Sequence, residues 1–219
     1  MPTHLTPQSP FVRRYLVVMS ILTLAGILAV LALRTALREK ALAAHDVAGE
    51  AASGPLPELG TIGDFTLTDQ TGAPFAASSL AGKIYVADFF FTSCSGICPV
   101  MSKAMAEVQA AFAGEPRVAF VSISVDPATD TPDVLTRYAA RYGAEPDRWH
   151  FLTGEADAIQ RLAKDRFLLG YGDEPVNHSS RFVLVDGAGK IRGFYFGTEV
   201  ASLDALRMDI RRLLTDIGS

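Results

Sequence analysis

The segment Ile84–Phe91 is an almost unbroken apolar run, interrupted by Asp88, and it leads directly into Thr92-Ser93-Cys94-Ser95-Gly96-Ile97-Cys98-Pro99. Continuous rather than alternating hydrophobicity marks a strand covered on both faces, so this run predicts the central strand of an α/β sheet. Pro99 suits the first turn of a helix, and Met101, Met105 and Val108 supply part of its apolar stripe. The two cysteines therefore fall at a strand-to-helix junction, where open α/β sheets place their ligands.

The chain on either side obeys the same alternation of strands and helices. Phe65–Thr68 and Pro74–Phe75 read as a short hairpin turning at Thr71–Gly72. Val118–Val125 is a second strong strand, and Asp130-Thr131-Pro132 starts the next helix with a capping residue and a proline, carrying it to Arg141. A short strand is expected near Phe151–Leu152 and a helix near Glu155–Lys164. Arg181–Val185, a turn at Asp186–Gly189 and Lys190–Phe196 make the clearest hairpin. Ser202 is expected to cap a last helix containing Leu203, Leu206, Ile210 and Leu213. This order predicts a thioredoxin-like α/β fold, a central mixed sheet flanked by helices.

An N-terminal transmembrane helix is expected ahead of that domain. Arg13 and Arg14 precede an uncharged run from Tyr15 to Leu33, which at about 1.5 Å per residue nearly covers a bilayer core of roughly 30 Å. The run is too long for an ordinary signal-peptide core, and Arg34, Glu39 and Lys40 separate it from the small residues Ala41-Leu42-Ala43. The expected organisation is a short cytoplasmic tail over 1–14, an anchor over 15–34, a linker over 35–57 and the thioredoxin-like domain over 58–219. The tail's arginines orient the domain toward the periplasm. Beyond residue 50 the chain carries 21 acidic and 15 basic residues, a balance that argues against binding a phosphate backbone, so no nucleic-acid partner is expected.

Two cysteines cannot form a disulfide framework, and 219 residues do not need one. Cys94 and Cys98 are separated by three residues, one more than in the usual redox dithiol, which widens the bite available to a metal. Neighbouring helix N–H groups favour thiolates, and Gly96 relaxes the loop between them. Two soft thiolates suit Cu(I) or Zn(II), and one imidazole would complete a three-coordinate Cu(I) site. Of the four histidines, His4 lies in the tail, His45 in the linker, and His150 beside an apolar segment; His178 lies in the polar loop Asn177–Ser180. A lone loop histidine is ordinarily a surface residue, and the residues themselves leave its role open.

Several motifs in order now bear on the question: Gly63-Asp64-Phe65-Thr66-Leu67, Gly82-Lys83, the Cys-x-x-x-Cys-Pro-x-Met pattern within Thr92–Met101, Ser122–Asp130 with Thr131-Pro132, His178-Ser179, and Val185-Asp186-x-x-Gly189. Over roughly residues 58–217 the chain resembles the Sco/SenC family of membrane-anchored cytochrome c oxidase assembly proteins. It departs from that family's commonest pattern at Ser95, where proline is frequent, and at Asn177, where an acidic residue is frequent.

The resemblance implies a copper chaperone that holds one copper per domain, as Cu(I) or Cu(II), on Cys94, Cys98 and His178. It implies cytochrome c oxidase subunit II, or a related copper-receiving protein, as the partner, and a periplasmic copper donor upstream. A single-pass protein of the bacterial inner membrane is expected, ahead of the mitochondrial inner membrane. The alternative within the family is a thiol–disulfide reductase whose redox pair, Cys94 and Cys98, keeps the receiving protein's cysteines reduced. Asp88 is a candidate buried proton relay behind the dithiol. Asp126 is a candidate for a direct or neighbouring role at copper, or for forming the turn before Pro127. Met101 and Met105 read as core packing, and Phe91 and Tyr171 as flanks of the site. A peroxidase lacks support beside Cys94, and an interaction domain with a structural disulfide is the remaining reading.

Overall fold

A computed structural model describes residues 54–169 and 180–216, with Arg14 and Met19. The chain divides into two compact units, Met1–Pro55 and Leu56–Ser219. Apart from Met19, the expected anchor lies outside the described residues, as do His178, Asn177 and Tyr171. Among the described residues no helix is long and apolar enough to cross a membrane.

The second unit is built on one eight-stranded mixed sheet. Its strands are β1 (Gly60–Thr61), β2 (Thr66–Asp69), β3 (Pro74–Ala76), β4 (Ile84–Phe90), β5 (Val118–Ser124), β6 (Trp149–Thr153), β7 (Arg181–Val185) and β8 (Lys190–Phe196). They lie in the order β1-β8-β7-β4-β5-β6-β2-β3. β4, β5 and β6 run parallel, and antiparallel strands extend the sheet on both sides. The helices are α1 (Ile97–Ala111), α2 (Pro132–Arg141), α3 (Ala156–Arg161) and α4 (Val200–Asp216). This is a thioredoxin-like core, with the β4–α1–β5 and β5–α2–β6 crossovers at its centre.

Every residue of β4 and β5 is buried, as their continuous apolar sequence requires. The pleat sends alternate residues to opposite faces. Ile84, Val86 and Phe90 join Met101, Met105 and Val108 of α1, Leu135 and Tyr138 of α2, and Leu203, Leu206 and Ile210 of α4 in one core. Tyr85, Ala87 and Phe89 face the other way, onto Leu67, Phe75, Ile159 and Phe167. The β2–β3 turn is where expected, with Asp69 Oδ1 accepting the N–H groups of Thr71 and Ala73.

Two local expectations are corrected. The helix expected over 155–164 is α3 followed by a π-helical turn, Leu162–Arg166. The wider ring, closed by Phe167 N–H on Leu162 C=O at 3.0 Å, turns Phe167 into the second core. Ser202 is not the cap of the last helix: α4 begins at Val200, and the Ser202 hydroxyl accepts the Phe196 N–H at 2.8 Å, tying α4 to β8. α2 starts as expected: Thr131, the residue before the proline, is the N-cap residue, without a side-chain cap bond, and Pro132 opens the helix.

Candidate functional site

The cysteine loop leaves the carboxyl end of β4 and enters α1 at Gly96, its N-cap residue. Cys94 sits in that loop, half-buried, with its N–H donating to the Phe91 carbonyl at 3.3 Å. Cys98 lies in the first turn of α1 and is buried in the core beneath it. Both are free thiols. The two side chains meet: the Cys98 thiol hydrogen-bonds toward the Cys94 sulfur.

The pair is electrostatically unequal. Burial works against the Cys94 thiolate, but the N–H and thiol of Cys98 and the N–H groups of Gly96 and Ile97 outweigh it, holding Cys94 below the usual thiol range. This is the expected effect of a helix N-terminus on a thiol. Burial pushes Cys98 up to about 12, with the charges of Cys94 and Asp88 adding to it and the Phe91 backbone opposing. Cys94 is thus the more exposed and the more acidic of the two sulfurs, and Cys98 keeps its proton until a metal or a disulfide displaces it.

Asp88 is buried, 1% exposed, on the α1 face of β4. The Ser122 hydroxyl donates to Asp88 Oδ1 at 2.6 Å, and Trp149 Nε1–H donates to Ser122 Oγ at 2.9 Å. Burial pushes the carboxyl up to about 7 against the opposing Ser122 bond. Asp88 is thus both a hydrogen-bonded strand residue and a carboxyl with raised proton affinity. The Asp126 backbone makes a turn: its N–H donates to Ser124 Oγ at 3.1 Å, and its carbonyl accepts Thr129 and Asp130 N–H at 3.1 and 2.9 Å.

Met101 and Met105 are fully buried core residues, as read from their spacing. Phe91 is half-buried and packs against the first core beside Cys94. His150 packs its ring on Phe75 at 4.6 Å, and burial lowers its pKa. Among the described residues no three His, Cys, Asp or Glu side chains converge to hold a metal. The donor chemistry still fits a soft ion, since two sulfurs in contact at a helix start leave one or two positions for further ligands.

Sequence reasoning missed the fixtures beneath the loop. Asp130 is fully buried and accepts Thr92 N–H at 3.0 Å, Thr92 Oγ1–H at 2.5 Å and Ser124 Oγ–H at 2.5 Å. Ser102, one turn after Cys98, shares a hydrogen bond with the Tyr138 hydroxyl at 2.9 Å. A signal for Asp130 was present: Thr131-Pro132 already suffices to open α2, which frees the carboxylate before it for another task.

Known proteins share this fold. A SCO1 protein homolog from Bacillus subtilis is 36% identical over 157 residues, 69% of this chain and 81% of the relative. The structure of BsSco, described as a member of the Sco family of cytochrome c oxidase assembly proteins with a disulfide switch, matches with 34% identity and a TM-score of 0.65, covering 74% of this chain and 99% of that one. Arabidopsis thaliana ScoI, solved with copper bound, matches with 29% identity and a TM-score of 0.58, covering 68% of this chain and 98% of that one. The SCO1/SenC family model spans residues 55–215, from the segment before β1 almost to the end of α4, and with two free thiols meeting at the β4–α1 junction the chain belongs to the SCO1/SenC family.

Proposed function

We propose that the chain is a membrane-tethered copper chaperone that delivers copper to, or assists maturation of, the binuclear copper centre of cytochrome c oxidase subunit II. The observation that carries this reading is the pair of free, touching thiols at the β4–α1 junction, in a family whose solved relatives include copper-bound forms. Cys94 and Cys98 supply two thiolates and His178 one neutral ring nitrogen to a single copper, with Cu(I) favoured by the soft donors. Low coordination leaves room for a ligand from the receiving protein, so copper passes by ligand exchange without being released. The tail over 1–14, the anchor over 15–34, the linker over 35–57 and the domain over 58–219 place this site on the periplasmic side of a bacterial inner membrane. An upstream periplasmic donor loads it.

A second reading is favoured by the inequality of the two thiols. An accessible thiolate at Cys94 attacks a disulfide sulfur of the target, the target's other sulfur leaves as a thiol, and Cys98 then resolves the mixed disulfide. The target gains two electrons and the pair becomes a disulfide. Copper occupies both sulfurs, so the two activities alternate.

Anaerobic Cu(I) titration of the reduced full chain, with C94A, C98A and H178A beside it, separates the readings. One copper per chain, lost with either cysteine and sharply weakened in H178A, is the expected result. Equal binding by wild type and H178A would refute the three-ligand site. Disulfide reduction that persists in H178A while copper binding is absent from wild type would favour the reductase.

A further inference from the structure

Asp130 sits 36 residues beyond Cys94 in the chain, yet its carboxylate is spent on the cysteine loop. We infer that Asp130 is a positioning residue for the dithiol: it latches Thr92, two residues before Cys94, to the β5–α2 loop and so fixes where Cys94 stands over the start of α1. This inference rests on the site reading above and deepens it.

The geometry is a closed network. Thr92 gives Asp130 both its N–H (3.0 Å) and its hydroxyl (2.5 Å), on different carboxylate oxygens. The Ser124 hydroxyl donates to the oxygen that also receives the Thr92 N–H. Ser124 Oγ in turn accepts Asp126 N–H, and Val125 N–H donates to Phe90 C=O at 2.8 Å as the rungs between β4 and β5 run out. Where the parallel ladder ends, the carboxylate takes over the task of holding the two strand exits together. Three donors from the two strand exits thus converge on one carboxyl group. A carboxylate 0% exposed without such donors would be severely penalised, so the latch is fully made. The same burial and saturation remove Asp130 from the set of metal donors.

Its position argues for a role beyond holding the fold. Asp130 stands one residue before the N-cap Thr131, yet its side-chain bonds go to Thr92 and Ser124 and none to α2. Within the loop, Cys94 N–H donates to Phe91 C=O at a long 3.3 Å, and the N–H groups of Gly96, Ile97 and Cys98 hold the Cys94 sulfur only once the loop has brought it over the start of α1. The Thr92–Asp130 pair therefore controls how often Cys94 meets Cys98. That meeting is the effective concentration governing both disulfide closure and chelation of one ion.

The test uses the full chain as wild type, Asp130→Asn, Thr92→Val and Thr92→Ser. The dithiol–disulfide equilibrium is measured in glutathione buffers, Cu(I) affinity by competition with a chromophoric chelator, and stability by urea. Asp130→Asn turns an amide donor toward the Thr92 donors, and the expected result is a disulfide-closure constant about tenfold lower, a potential about 30 mV higher, with Cu(I) affinity falling in parallel. Thr92→Val is expected to lower both by about threefold, as loss of one ordinary hydrogen bond implies, and Thr92→Ser to return them to wild type. Closure and affinity unchanged within twofold in folded Asp130→Asn would overturn the latch, as would Thr92→Ser behaving like Thr92→Val. If Asp130→Asn does not fold, the Thr92 pair decides alone. If wild type binds no Cu(I), the chaperone reading falls, and the closure constant still decides the latch.

Discussion

Replacing Asp88 with asparagine should stabilise the protein above neutral pH, and the structure says by how much and in which window. The carboxyl is 1% exposed and holds a single Ser122 hydroxyl bond on Oδ1. Burial carries it to about 7 from an ordinary 3.8. A carboxyl raised by folding binds its proton more tightly in the native state. Its contribution to stability is complete below about pH 4 and is lost as pH rises to about 7, after which the loss is constant. At 1.36 kcal/mol for each tenfold change, that loss is at most roughly 4 kcal/mol, and relaxation around the carboxylate takes back part of it.

Asparagine keeps the oxygen that accepts from Ser122, stays neutral at all pH and preserves the shape of the protonated acid. Wild type and Asp88→Asn should therefore match within about 1 kcal/mol at pH 4.5. They should diverge by about 2–4 kcal/mol at pH 8.5, the variant being the more stable. Urea unfolding of the reduced full chain reads this through Trp149, the chain's sole tryptophan. It is buried and bonded to the same Ser122 hydroxyl, so its fluorescence reports the core in question. Parallel stability profiles from pH 4.5 to 8.5 would refute the reasoning, as would a variant less stable than wild type at the alkaline end.

Three further outcomes follow from the same structure. Cys94 should alkylate with iodoacetamide at least about a hundredfold faster than Cys98 at pH 8, because its thiolate persists below the usual range while Cys98 keeps its proton to about 12; peptide mass spectrometry that finds Cys98 labelled first would contradict this. The Cys94 rate should fall as pH drops through its lowered value. Met105→Ala removes a fully buried side chain from the first core and should cost about 2–5 kcal/mol in urea unfolding; a cost under about 1 kcal/mol would show that the site collapses around the loss. Gly187→Ala places a Cβ 2.9–3.2 Å from the backbone of Gly82, where no side chain can give way, and should cost about 1–3 kcal/mol; an unchanged unfolding midpoint would refute the close approach.

How much of this was legible in the sequence depends on the range of the interaction concerned. The strands β4, β5, β7 and β8 were readable because burial on two faces, or a hairpin turn, leaves a local pattern. α1 and α2 were readable because Pro99 and Pro132 mark their first turns. The dithiol was readable because both cysteines lie four residues apart at one junction. The π turn at Leu162–Arg166 was not, since helical periodicity survives a single wide ring and the insertion shows only when Phe167 reaches the second core. Ser202 misled because it is a good capping residue beside a helix start, yet it gives its oxygen to a distant strand instead. Asp130, one residue before the Thr131 N-cap, likewise gives its oxygens to a distant loop. Local propensity names the residues able to cap, and tertiary competition decides where their bonds go.

That competition also explains why one small loop suits both proposed activities. A metal site asks for two sulfurs held together, and an exchange site asks that one sulfur attack while the other waits. Burying Cys98 under α1 while leaving Cys94 over the helix N–H groups meets both demands with a single backbone arrangement. Asymmetry of exposure becomes asymmetry of proton affinity, because desolvation penalises the thiolate that is buried and the helix start favours the one that is not. A soft metal overrides this inequality by displacing both protons, whereas a disulfide substrate exploits it by reacting with Cys94 alone at first. The choice between the two activities then lies in what arrives at the loop, copper or a target disulfide.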